Sequence, residues 1–226
     1  MTELRTERRR HGRATPIALG ALLVMLTGCN GMTRSGVDAV RLAVFRPSIE
    51  VTPERVAANP YAQVLVEGDG FQALMVLGND DAGLTSWYSP DRRIVFLRDG
   101  LLVGTAGLPE DAIDIHLEGD SPFTRLHLLQ GTSRTLRRYD WMPGHRYGVR
   151  VEGELQRIGT EQVEILGRPR TLVRFDERLR GPGIDATNSY WAEPDTGFIL
   201  KSRQLLAPGR SLDLVQLKPY RHGSAR

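Results

Sequence analysis

One cysteine stands among the 226 residues, at position 29, so no disulfide can form within the chain. The residues leading up to it set where the chain must fold. A basic head with Arg5, Arg8, Arg9, Arg10 and Arg13 precedes an apolar run from Pro16 to Leu26, and Thr27-Gly28 then introduces Cys29. Positive, then apolar, then small is the order of a secretory signal peptide. The run falls well short of the roughly 20 residues that span a bilayer, so it is not expected to persist as a membrane helix. Export delivers the chain to an oxidising compartment, where it must hold its fold by packing alone.

The stretch Leu26-Thr27-Gly28-Cys29 resembles the bacterial lipobox. That resemblance implies acylation of the Cys29 thiol, cleavage before it, and a mature N-terminus carrying palmitate-type chains. Two or more chains anchor a protein stably to a membrane, whereas one does so only marginally. A twin-arginine route is conceivable from Arg8-Arg9-Arg10, but the flanking residues of such a signal are missing, so general secretion is expected. Asn30 stands where an aspartate would resemble an inner-membrane retention signal. The expected location is the outer membrane, lipid-anchored on the periplasmic side.

Setting aside residues 1–28 changes the charge. That segment holds five arginines and two glutamates, which leaves 25 basic and 25 acidic groups and a formal charge of zero. The basic balance belongs to the leader, so nucleic acid is not an expected partner. The remaining 198 residues suffice for one domain. We expect a tether at 29–36 and a single β-rich domain over 37–226.

Val37 to Phe45 fits a short helix or an entry strand. Thr52 as N-cap and Pro53 at the first helical position start a short helix that Asn59-Pro60 ends. Period-two alternation then takes over. Val64 and Val66 against Ala73, Met75 and Leu77 make a hairpin, and Asn79–Gly83 a turn. Strands follow over Leu84–Tyr88, Arg93–Arg98 and, past the tight turn Asp99-Gly100, Leu101–Thr105. Further strands are expected over Ile113–Asp120, about the Met142-Pro143-Gly144 corner, over Gly148–Ile158, Glu161–Leu166 and Thr171–Phe175, on both sides of Glu193–Gly197, and over Leu212–Lys218. The expected class is mainly β: an antiparallel, strongly curved sheet or incomplete β-barrel or sandwich with one or two short helices.

Asp114, His116, Glu118 and Asp120 alternate with Ile113, Ile115 and Leu117, which puts the four polar groups on one face of a strand. One imidazole with carboxylates can ligate a divalent ion. A half-solvated antiparallel strand shows the same alternation, and that reading is preferred, with no metal or other cofactor expected. Between Arg134 and Arg150, basic and aromatic residues mix. Tyr139, Trp141, Arg146 and Tyr147 form a candidate glycan surface, since aromatic faces stack on sugar rings and arginines clamp acidic groups. The competing arrangement puts the aromatics inside and the arginines outside. No nucleophile elbow, H-E-x-x-H or phosphate loop occurs. Asp111 with Asp114, or Glu193 with Asp195, are the carboxylate pairs a glycosidase would use. Such pairs arise in any chain this acidic, and no enzyme is expected.

The segments Asn59-Pro60-Tyr61-Ala62, Trp87-Tyr88-Ser89-Pro90-Asp91, Gly100–Pro109, Asn188-Ser189-Tyr190-Trp191, Thr196-Gly197 and Lys201-Ser202-Arg203-Gln204 resemble, in this order, the YjbF/GfcB family of outer-membrane lipoproteins associated with capsule and exopolysaccharide operons. Glu193 stands where the family pattern has an aspartate, and Pro90 replaces a small residue. The resemblance implies structural duty for Trp87, Asn188, Tyr190, Trp191, Gly197 and Gln204. It implies a non-catalytic role in exopolysaccharide or capsule assembly or export, with polysaccharide or polysaccharide-secretion proteins as partners. The Tyr-Trp, Thr-Gly, Lys-Ser hairpin is also similar to periplasmic lipoprotein carriers with an incomplete barrel. The alternative expectation is therefore a carrier or chaperone sheltering a lipid or acyl chain, for which a large apolar concavity would speak.

Overall fold

The computed structural model describes residues 49–223. The expected signal peptide, Cys29 with its tether, and the Val37–Phe45 entry element lie outside the described residues. Helix α1 (Pro53–Ala58) comes first, and the Thr52 hydroxyl accepts from the Arg55 N–H at 3.2 Å, capping it as its sequence implies. Twelve strands follow: β1 Gln63–Gly68, β2 Phe71–Asp81, β3 Leu84–Tyr88, β4 Ile94–Arg98, β5 Leu101–Ala106, β6 Asp111–Glu118, β7 Thr132–Met142, β8 Arg146–Ile165, β9 Arg168–Gly181, β10 Ile184–Ala192, β11 Ile199–Ala207 and β12 Arg210–Lys218. A 3-10 segment, Pro122–Leu128, separates β6 from β7.

All twelve strands belong to one sheet in the order β5-β4-β3-β2-β1-β12-β11-β10-β9-β8-β7-β6, every neighbour antiparallel. The first and last strands pair, and the break falls between β5 and β6, which are consecutive in sequence. The sheet curls until these two edges face each other, giving a nearly closed barrel. Side chains hold the seam where the ladder does not. Thr105 Oγ1 donates to Asp111 Oδ1 at 2.8 Å and accepts from the Ala112 N–H at 3.1 Å. Asp111 also takes the N–H groups of Gly107 and Leu108, at 3.0 and 3.1 Å.

Gln204 on β11 reaches edge strand β5 through the interior. Its Oε1 accepts from the Leu102 N–H, and its Nε2 donates to the Gly100 carbonyl, both at 2.9 Å. One amide thus does for β5 what a thirteenth strand would do. Gln204→Leu should leave a buried donor and an acceptor unpartnered, at a cost of about 1–3 kcal/mol for each buried group. A lower urea midpoint with an unchanged slope is the expected reading.

Side chains fill the interior. One cluster runs through Val64, Met75, Trp87, Leu102, Trp141 and Leu179. A second gathers Leu155, Phe175, Tyr190 and Ile199 beneath Phe123 and Leu126 of the 3-10 segment, which covers that part of the core. A third joins Val163, Ile165 and Leu172 of the β8–β9 hairpin to Leu200 of β11.

Three departures from the expected elements bear on the faces of the sheet. The expected strands Gly148–Ile158 and Glu161–Leu166 are one, β8, carried past Gly159 by a bulge opposite β9. The turn expected over Asn79–Gly83 tightens to Ala82-Gly83, both at positive φ, and β2 keeps Asn79. A bulge between Ala112 and Asp114 turns Ile113 out to solvent, while Ala112 and Ile115 face the core. Ile113 therefore does not share a face with Ile115.

Candidate functional site

On β7 the buried positions are Thr135, Arg137, Tyr139 and Trp141, one face of the strand. Tyr139 and Trp141 stack with centroids 5.0 Å apart, and the Trp141 indole N–H donates to the Leu206 carbonyl at 2.6 Å. Arg146 covers the Trp141 ring at 5.0 Å and donates to the Pro182 carbonyl. Tyr147 is exposed on the far side of the corner. The four residues expected to make one glycan surface are thus split between core and surface. Tyr139 and Trp141, closed to solvent, offer no face to a sugar.

One arginine lies inside the fold, against the pattern of arginines outside. The Arg137 guanidinium meets Glu177 on β9 in a two-pronged pair, Nε to Oε1 and Nη2 to Oε2, both 2.9 Å. Thr135 donates to the same carboxylate at 2.6 Å, Tyr190 at 2.9 Å and Asn188 at 3.2 Å. The Asn188 Oδ1 accepts from the Leu205 N–H at 2.7 Å, tying the cluster to β11. Phe123 closes it, edge-on to Tyr190 at 4.9 Å. The strand between β7 and β9 offers no obstacle because it carries Gly153 here. A Cβ at that position would lie 2.1 Å from Thr135 Oγ1 and 2.8 Å from Glu177 Oε1.

Charge follows from this packing. Burial alone would raise the Glu177 pKa, but Arg137 and the hydrogen bonds outweigh it and hold the carboxyl below its usual range. Burial likewise works against the Arg137 charge, and Glu177 beside it more than compensates. Burial pushes Tyr139 up to about 12 and Tyr190 well above its ordinary value. The cluster is a permanent ion pair with neutral phenols around it, and none of these four groups is poised to exchange a proton near neutrality.

The remaining family-motif residues also have packing partners. Trp87 is buried with its indole N–H on Thr85 Oγ1 at 2.9 Å. Trp191 donates to Glu161 at 2.6 Å while Arg174 and Lys201 sit over its ring. Gly197, at φ 74, lets the β10–β11 turn approach the 3-10 segment; a Cβ there would lie 2.9 Å from the His127 nitrogen. Of the carboxylates, Asp111 is held in the seam, Asp114 pairs with Arg138 at 3.1 Å, and Glu118 with Arg150 at 3.9 Å. Glu193 accepts from Thr196 and Arg221 at 2.6 and 2.7 Å. Asp114, His116, Glu118 and Asp120 do not converge: among the described residues no group of three or more His, Cys, Asp or Glu could hold a metal ion.

Comparison with known proteins agrees with the family resemblance. Residues 37–217 match the model of the YjbF family, described as group 4 capsule polysaccharide lipoprotein. The chain is similar to an uncharacterized lipoprotein GfcB of Escherichia coli strain K12, 24% identical over 210 residues, which cover 90% of this chain and 98% of the relative. The crystal structure of a hypothetical lipoprotein YmcC, also from Escherichia coli K12, superposes with a TM-score of 0.69 at 23% identity, covering 82% of this chain and 96% of the other. That likeness shows a shared fold. The chain belongs to the YjbF family of group 4 capsule polysaccharide lipoproteins.

Proposed function

We propose that this lipoprotein faces the periplasm from the outer membrane and assists assembly or export of a capsular or extracellular polysaccharide without catalysing a step. The family match across residues 37–217 carries the reading. Two observations favour a scaffold over an enzyme. The most buried charged groups, Arg137 and Glu177, neutralise each other. Of the carboxylates a hydrolase would use, Asp111 is engaged in the seam, Asp114 in an ion pair and Glu193 in the β10–β11 turn, and only Asp195 is exposed.

Deleting the gene in the host should lower surface polysaccharide several-fold, measured as cell-bound and released sugar, and the wild-type gene should restore it. Cys29→Ala should restore it poorly if the anchor matters. Unchanged polysaccharide in the deletion strain would refute the capsule role. Purified polysaccharide incubated with the protein should keep its size distribution, and depolymerisation would refute the non-catalytic part alone.

A further inference from the structure

Two of the family-motif segments, Asn59–Ala62 and Trp87–Asp91, meet at a place that neither the core nor the seam explains. Helix α1 lies against the outer face of β1, with Gln63 Nε2 donating to the Val56 carbonyl and Lys218 Nζ to the Asn59 carbonyl, both at 2.8 Å. Beside it opens a cleft of about 400 Å³, whose lining includes Arg55, Asn59, Gln63, Gln72, Val76 and Asp91. This is within the range of about 300–1,000 Å³ usual for small-ligand sites.

Two tyrosines neighbour its lining residues: Tyr61 lies between Asn59 and Gln63 in sequence, and Tyr88 is a cross-strand partner of Val76. The pairing of Gln63 with Val76 and the Leu77 N–H bond to the Ala62 carbonyl set Tyr61 next to Gly78. Val76 pairs on its other side with Tyr88. Ala62, Leu77 and Trp87 pack on the core, so Tyr61, Gly78 and Tyr88 face outward by alternation. Tyr61 is 58% exposed and Tyr88 43%. The Tyr88 ring lies across Gly78, where a Cβ would come within 2.5 Å of Cδ2. The missing side chain lets that ring lie down along the sheet beside Tyr61.

The cleft also holds an unmet hydrogen-bond acceptor. Gln63 is wholly buried, its Nε2 is committed to Val56, and its Oε1 has no partner. Buried acceptors are normally satisfied, so this one calls for a donor from outside the protein.

We infer that this cleft is a carbohydrate-binding site, in which Tyr61 and Tyr88 stack on pyranose rings and Gln63 accepts a sugar hydroxyl. A sugar offers an apolar C–H face and a rim of hydroxyls, which matches exposed aromatic rings beside the unpartnered Gln63 Oε1. An acyl chain would leave the Gln63 Oε1 unsatisfied. An added peptide strand finds no edge here, because β1 lies between β12 and β2, and β2 between β1 and β3. The inference rests on the capsule reading and names where that polymer is held.

The test uses the chain from residue 29 onward, carrying Cys29→Ser, titrated calorimetrically with the host's purified polysaccharide and its oligosaccharide fragments. Saturable binding is expected. Tyr61→Ala and Tyr88→Ala should each weaken it about tenfold, and Gln63→Leu comparably, while Ile158→Ala, exposed on β8, leaves it unchanged. The two exposed tyrosines are free of core packing, so loss of fold does not confound them. Undiminished affinity in both tyrosine variants, or no glycan binding at all, overturns the inference. Binding that appears only after residues 30–48 are also deleted assigns the cleft to the chain's own N-terminal segment and overturns it too. The capsule reading fails separately: an intact capsule in the deletion strain refutes it, whereas full complementation by Tyr61→Ala with Tyr88→Ala refutes only the site.

Discussion

Arg137→Met is expected to lower the unfolding free energy by about 3–5 kcal/mol, because it strands the Glu177 carboxylate in an apolar interior. Replacing both partners, Arg137→Met with Glu177→Leu, should recover much of that loss, since no charge is left behind. A urea titration of the three proteins measures this. A double variant as unstable as the single one would mean that the pair is needed for packing and not only for neutrality. The pH dependence has a definite sign. Glu177 has a folded pKa below its ordinary 4.5, so its contribution is complete above that value and is lost as pH falls through the folded pKa. The wild type should lose stability on acidification below about pH 4.5 more steeply than the double variant.

Gly153→Ala, the mildest substitution in composition, should be among the most damaging in effect. The new methyl would stand 2.1 Å from Thr135 Oγ1 and 2.8 Å from Glu177 Oε1, both fully engaged and walled in by β7 and β9. Either the carboxylate swings off Arg137 or the strands part. Overpacking of this kind costs about 1–3 kcal/mol, and a displaced ion pair adds to it. The lost tilt of Phe123 over Tyr190 should show in near-ultraviolet circular dichroism. A wild-type spectrum and midpoint would mean that the cluster tolerates a looser geometry.

The strands and turns were legible because they are local. Asp99-Gly100 turns with both residues at positive φ, as that dipeptide implies, and the alternation in β1, β2 and β7 matches the faces that are buried. The parity of β7 also carried the position of Arg137, two residues before Tyr139 and four before Trp141. Charge argued for the surface, and only Glu177, 40 positions away, explains why parity won. The same limit applies to the candidate glycan surface. Composition marked Tyr139 and Trp141 as aromatic, but which aromatics face water depends on the curl of the sheet. Tyr61 and Tyr88 lie in motif segments whose meeting depends on the β1–β2–β3 register. Bulges at Ile113 and Ile158 were illegible because an inserted residue leaves composition and length almost unchanged.

The pairing of β1 with β12 sets an order of events for synthesis. Gln63 finds its partner only when Lys218 has been made, so one flank of β1 stays unpaired until every other strand of the sheet has been made. Contacts so distant along the chain form late, and sheets that depend on them fold slowly. In this connectivity the sheet cannot be completed before the last of its strands has been made, so closure is the final event and not a gradual one.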